Sequence, residues 1–309
     1  MISNLIPTQT PFMGSHTDLA IEGADAVIFG APHGTPYESK DNTVFAPAAD
    51  ALRHALQKDI DFIDHWDFDL GGSLLAESDF KVADAGNVDT APLDGANNRA
   101  KITEATARIA ETGAVPLMIG GDDSTPIPFI EGLRAAGPLT IVQIDAHIDW
   151  REERYGESYG FSSTMRRSSE MPHVERIIQV GMRGLGSARR EEVEFAQKWG
   201  ATLIPARKVF AEGIERILDQ LPAGGNTMIT FDCDGLDPSI MPAVVAPVPG
   251  GLTYTHAIDL VAGVIARTNL VGFDMVEFVP NRDRDGMAAL TAARIMANVI
   301  GCLARKGSI

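Results

Sequence analysis

Leu139-Thr140-Ile141-Val142-Gln143-Ile144-Asp145-Ala146-His147-Ile148-Asp149 is an apolar run of strand length followed at once by Asp, His and Asp at alternate positions. A short run rich in β-branched residues and bounded by polar ones reads as a buried strand. In extended backbone, residues spaced by two point to one side, whereas on a helix the middle one would face away. The pattern recurs along the chain. A run over 226–231 leads into Asp232-Cys233-Asp234-Gly235-Leu236-Asp237-Pro238, one over 115–119 into Gly120-Gly121-Asp122-Asp123-Ser124, and one over 270–276 into Glu277. Further strand-like runs lie at 26–29, 81–83, 176–180 and 202–204, and helix-period segments at 98–111, 188–199, 209–221, 253–267 and 285–304. Strands alternating with helices predict an α/β fold, a mainly parallel sheet with helices on both faces. No Pro/Gly/Ser linker, repeat or low-complexity tract divides the chain, so one domain is expected over residues 1–309.

Composition narrows the partners. The 309 residues carry 26 Lys and Arg against 42 Asp and Glu, a formal net charge of −16. Phosphate binding needs a basic surface to displace counterions, which argues against nucleic acid and leaves cations or metal ions open. With 45% hydrophobic residues there is material for a large core. Cys233 and Cys302 are the only cysteines, which gives neither a disulfide framework nor zinc-type spacing and suits a reducing cytoplasm. The N-terminal Met1-Ile2-Ser3-Asn4-Leu5-Ile6-Pro7 lacks the basic and apolar regions of a signal peptide, and no stretch reads as a membrane span. Cytoplasmic localisation without membrane contact is the expectation.

In an open parallel sheet the ligand site lies beyond the carboxyl ends of the strands, and here four such ends bring acids. Packed carboxylates repel one another and raise each other's pKa unless cations neutralise them. A single Asp after a strand is ordinarily a turn former or helix cap, as Asp123 before the 126–136 segment could be. Three acidic clusters at successive strand ends point instead to divalent metal. Many carboxylates with one imidazole suit hard or borderline ions such as Mn²⁺, and the number of donors favours two ions.

These motifs resemble the ureohydrolase family of arginase, agmatinase and guanidinobutyrase. Its signatures are a Gly-Gly-Asp-His-Ser turn, an Asp-Ala-His-x-Asp segment and an Asp-x-Asp-x-x-Asp-Pro segment, and the last two are intact and in order here. The resemblance runs from about Ala26 to the C-terminus. It implies a three-layer α/β/α sandwich of the arginase type, two divalent ions (manganese first, nickel as the alternative), and hydrolysis of a guanidinium carbon–nitrogen bond with release of urea and an amine. By position it implies Asp145 and Asp232 as bridging ligands, Asp123 and Asp149 as ligands of one ion, and His147 and Asp234 as ligands of the other. Glu277 matches the acid that pairs with the substrate guanidinium, and Asp149 is placed to carry a proton to the leaving group. The small-molecule guanidino substrate and a homo-oligomer of three or six chains follow from the same resemblance.

Three departures surround the pocket. Asp123 stands where the family has His. Phe161 replaces another His, with Ser162 beside it and the paired Arg166 and Arg167 still aligned. After the first strand, Gly30-Ala31-Pro32-His33-Gly34-Thr35-Pro36-Tyr37 leads into an unusual loop, making His33 and Tyr37 candidate substrate contacts together with Phe161 and Ser162. Phe161 cannot shuttle a proton but offers an aromatic wall for a cation, which opens an alternative substrate, an alkylated guanidine or biguanide cleaved with nickel. A rival of another class is a non-catalytic subunit in a hetero-oligomer. Cys233 and Trp150 read as packing residues, and Arg183, Arg189 and Arg190 as surface or oligomer-contact charges.

Overall fold

In the computed structural model, which describes residues 4–16 and 21–306, the strands join in a single sheet. Residues 1–3 of the N-terminal segment read above lie outside the described residues. The strands are β1 (Leu5–Ile6), β2 (Ala26–Ala31), β3 (Val82–Val88), β4 (Val115–Gly120), β5 (Leu139–Ile144), β6 (Val174–Val180), β7 (Thr202–Ile204), β8 (Asn226–Asp232) and β9 (Asn269–Val276). The helices are α1 (Ala48–Ala55), α2 (Gly95–Glu111), α3 (Pro126–Gly132), α4 (Thr164–Ser168), α5 (Arg190–Trp199), α6 (Ala206–Glu212), α7 (Glu215–Leu218), α8 (Tyr254–Arg267) and α9 (Met287–Lys306). The sheet order is β1-β3-β2-β4-β9-β8-β5-β6-β7, parallel throughout except where β1 pairs antiparallel with β3.

Strand alternation sorts the core into two layers. Ala26 and Ile28, Ile119, Ile144, Phe231 and Met275 face α1, α6, α7, α8 and α9, while Val27, Phe29, Met118, Ile141 and Met228 face α2, α3, α4 and α5. The result is the three-layer α/β/α sandwich that the resemblance implied. The four acid-bearing strands β4, β9, β8 and β5 are adjacent at the centre of the sheet. Ile119, Met275, Phe231 and Ile144 form one cross-strand row, all buried. Each such side chain contributes about 1.5–3 kcal/mol on burial. A one-residue slip would turn that row to the wrong face, so it fixes the level at which Gly120, Val276, Asp232 and Asp145 leave the sheet.

Several expected elements change in the structure. The strand expected at 81–83 continues to Val88 because Asp84, which interrupts its apolar pattern, is neutralised by the fully buried Arg53 through bonds of 2.9 and 2.8 Å. Gly86, at φ +82°, lies so close to Ile6 that any Cβ would collide with its carbonyl, which is how β1 docks. The helix expected at 209–221 is broken into α6 and α7 at Gly213, whose φ of +75° lies outside helical space. The reading that no stretch could span a membrane is also corrected. Helix α9 has the length and apolar composition to do so, but most of its apolar window is buried in the fold against α1 and α8. Its hydrophobicity is that of a central core helix.

Candidate active site

The loops after β4, β5, β8 and β9 enclose a cavity of about 230 Å³, lined by Asp123, His147, Asp149, Phe161, Ser162, Asp232, Asp234 and Glu277, with Trp150, Arg151, Arg154 and Glu192 among its other walls. Asp145 lies just beneath, 1% exposed. Local turns hold the acids. The Asp232 carboxylate accepts from Asp234 N at 2.7 Å, Asp145 from His147 N at 2.5 Å, and Asp234 from Ala146 N at 3.1 Å, so the β5 and β8 turns cross-brace each other. Asp149 and Glu277 occupy left-handed backbone at φ +50° and +65°, conformations that cost non-glycine residues energy and concentrate at functional sites. Glu277 is further tied across β4, its N–H donating to Gly121 O and its Oε1 accepting from Asp123 N, both at 2.9 Å.

Two donor clusters result. One joins Asp145, His147 and Asp234, with His147 Nδ1 at 3.3 Å from Asp145 and 3.1 Å from Asp234. The other joins Asp123, Asp145 and Asp149, and Asp145 is common to both. Within each, one donor atom per residue lies within 4.8 Å of the others, compact enough for one small cation. Burial, reinforced by Asp149, Asp145 and Glu277, holds the Asp123 carboxyl well above the usual carboxylate range. Burial likewise raises Asp149, with Asp145 nearby, and Asp232, with Asp234 nearby. Glu277 is raised by burial and by Asp122. Burial opposes protonation of His147, yet the bonds to Asp145 and Asp234 outweigh it and push its pKa up to about 12. Both carboxylate oxygens of Asp123 are buried without a hydrogen-bond partner. A buried carboxylate in that condition is costly unless a cation meets it, so the donor set fits a pair of divalent ions.

Of the sequence candidates, the cavity brings together Asp123, His147, Asp149, Phe161, Ser162, Asp232, Asp234 and Glu277. His33 is turned to Thr90, its N–H and Nδ1 at 3.2 and 3.0 Å from Thr90 Oγ1, and is not among the lining residues. Tyr37 is buried behind Phe161, ring centroids 4.7 Å apart, with its hydroxyl accepting from Ser162 N at 3.3 Å. Only a glycine at 160 admits that ring, since a Cβ there would stand 2.3 Å from it. Cys233 and Trp150 are buried as expected, and burial pushes the Cys233 thiol up.

Arg183 requires correction. It is no surface charge: its guanidinium donates to the carbonyls of Asp234, Leu236, Gly235, Gly181 and Val248 at 2.7–3.2 Å, clasping the turn that carries Asp234. Sequence reasoning also passed over Gln143. Its Nε2 donates to Asp145 at 2.7 Å and to Asp149 at 3.0 Å, its Oε1 accepts from Gln179, and Gln179 Oε1 accepts from Trp150 Nε1 at 2.6 Å. The signal was present: a lone glutamine two residues before Asp145 in an apolar strand shares the side of the acids.

Residues 24–302 match the model of the arginase family. The chain belongs to the arginase family. Among its relatives, the N(1)-aminopropylagmatine ureohydrolase of Thermus thermophilus is 35% identical over 203 residues, 65% of this chain and 66% of that one, so the match spans about two thirds of that relative's length. The guanidinopropionase of Pseudomonas aeruginosa is 30% identical over 74% of this chain and 73% of its own. The crystal structure of a hypothetical agmatinase from Burkholderia thailandensis superposes with a TM-score of 0.82 over 97% of this chain and 92% of that one, at 23% identity. Family membership, with relatives that are by name a ureohydrolase and a guanidinopropionase, makes hydrolysis of a carbon–nitrogen bond in a linear amidine the activity to test.

Proposed function

We propose that the cavity hydrolyses the guanidinium group of a small substrate to urea and an amine, with Mn²⁺ as the first candidate for both ions. The single observation that carries this reading is the buried Asp123 carboxylate with both oxygens unpartnered, in a cluster that shares Asp145 with a second donor set. Asp123, Asp145 and Asp149 would hold one ion, and Asp145, His147 and Asp234 the other, with Asp232 in the cavity wall beside them. Bound there, two divalent ions would neutralise the converging acids and lower the pKa of a water toward neutrality.

The chain's own residues account for the remaining chemistry. Glu277 faces the cavity with one oxygen held by Asp123 N, leaving the other to accept from a planar guanidinium. Water oxygen adds to the guanidinium carbon, and the bond to the substituted nitrogen then breaks. That nitrogen needs the proton the water gives up. Asp149 is braced by Gln143 at 3.0 Å and lines the cavity, which suits it to accept that proton and return it to the departing amine. Phe161 lines the wall with a ring that cannot itself carry a proton.

The test is direct. Purified protein loaded with Mn²⁺, with metal content measured, should release urea from at least one guanidino compound in a panel. Two ions per chain together with complete inertness would favour a non-catalytic subunit and overturn the proposal.

A further inference from the structure

The floor of the cavity is anionic, but its mouth carries cations. Arg151 is already neutralised by Glu192 at 3.3 Å, and both line the cavity. Arg154 also lines it and has no ion-pair partner among the described residues. Its Nη1 donates to Ser162 Oγ at 3.2 Å, and its guanidinium lies over the rings of Tyr155, Phe161 and Tyr37 at 5.1, 5.7 and 6.0 Å. The backbone presents it on a tight turn. Arg154 and Glu157 exchange two N–H to O bonds of 3.0 Å, and the central Tyr155 and Gly156 both have positive φ, +54° and +83°, the geometry of a type I′ hairpin. Arg154 is therefore a held cation with free donors at the rim of an acidic pocket.

We propose that Arg154 is a specificity-determining residue that binds the carboxylate of a short guanidino acid, a substrate with a cationic guanidinium at one end and an anion at the other. The inference rests on the hydrolase reading above. Glu277 and the acids below accept the guanidinium end. Arg154 receives the carboxylate through a charge-assisted fork that an amine tail cannot use and that repels a second cation. The aromatic shelf limits the rotamers available to Arg154, so little freedom is lost on binding.

The experiment compares 3-guanidinopropionate, 4-guanidinobutyrate, butylguanidine and agmatine, whose tails are anionic, neutral and cationic, using Mn²⁺-loaded wild type and Arg154→Gln. Wild type should favour an acid over butylguanidine and butylguanidine over agmatine. The substitution should lower kcat/KM for the acid about 10- to 100-fold, mainly through KM, as expected for a hydrogen bond to a charged group. It should leave butylguanidine within about twofold, and Arg154→Lys should recover part of the loss. Wild-type preference for agmatine or butylguanidine, or an equal loss on every substrate, would overturn the inference while leaving the hydrolase reading intact. If nothing is cleaved, the hydrolase reading fails by itself. Calorimetric binding of 4-guanidinobutyrate, with its loss in Arg154→Gln, then decides the inference separately: binding lost in the variant supports it, and no binding or equal binding overturns it.

Discussion

Asp123→Asn keeps the shape of the side chain and removes its charge, and the structure requires the consequences to have opposite signs with and without metal. In the metal-free protein the Asp123 carboxyl is buried, faces Asp149, Asp145 and Glu277, and has both oxygens unpartnered. Its raised pKa is a cost to the folded state of about 1.4 kcal/mol for each unit of displacement at neutral pH. For a 309-residue chain an unfolding entropy of about 2.1 cal/mol/K per residue gives about 0.65 kcal/mol per degree, so each kcal/mol of that cost relieved should raise Tm by about 1.5 °C. With Mn²⁺ present, loss of a carboxylate ligand should weaken the ion on that side by about 100-fold, or about 2.7 kcal/mol, and remove about 4 °C from the metal-induced rise. The assay is a pair of thermal melts for wild type and Asp123→Asn, with and without excess Mn²⁺, alongside metal stoichiometry. A lower metal-free Tm in the variant, or an unchanged metal response and two ions per chain, would refute the assignment of Asp123 as a ligand held in reserve for a cation.

Gln143→Leu removes the donor shared by Asp145 and Asp149 and the acceptor used by Gln179, so kcat should fall by about 10- to 100-fold with the fold retained, checked by steady-state kinetics beside circular dichroism. Arg183→Ala frees five carbonyls around the Asp234 turn and should destabilise the protein by about 3 kcal/mol or more in chemical denaturation, with Mn²⁺ affinity falling in parallel. Asp274 is fully buried on β9, with Thr230 donating to one oxygen at 2.8 Å and the other unpartnered, and burial raises its pKa to about 8. Because the folded state then binds the proton more tightly than the unfolded one, stability is greatest below pH 4 for this group. It declines as pH rises through 8, by an order of 4 kcal/mol at pH 7. Asp274→Asn should flatten the fall in metal-free Tm between pH 5 and 8, and an unchanged slope would show that this group does not drive it.

What the sequence made legible and what it hid follow from the range of each cause. The order of strands and helices was readable because β-branched runs and helical periods are local, and the acids were readable because each follows its own strand directly. Their convergence needed more. Nothing near Glu277 states that β9 is inserted between β4 and β8, so the row Ile119–Met275–Phe231–Ile144 is a property of register between residues 44 to 156 positions apart. Arg183 was misjudged for the same reason: an arginine near Arg189 and Arg190 reads as surface charge, and the carbonyls it serves belong to turns some fifty residues away. His33 and Tyr37 were drawn to the site by proximity in sequence to the β2 end, yet Thr90 claims one ring and Phe161 covers the other. Arg154 shows the converse. Its role at the rim depends on which carboxylates are already spent, and Glu192, which neutralises Arg151 and leaves Arg154 free, comes from helix α5 rather than from any acidic motif. The acids that define the reaction were visible as residues, whereas the cation proposed to choose the substrate is visible only as what the finished fold leaves unpaired.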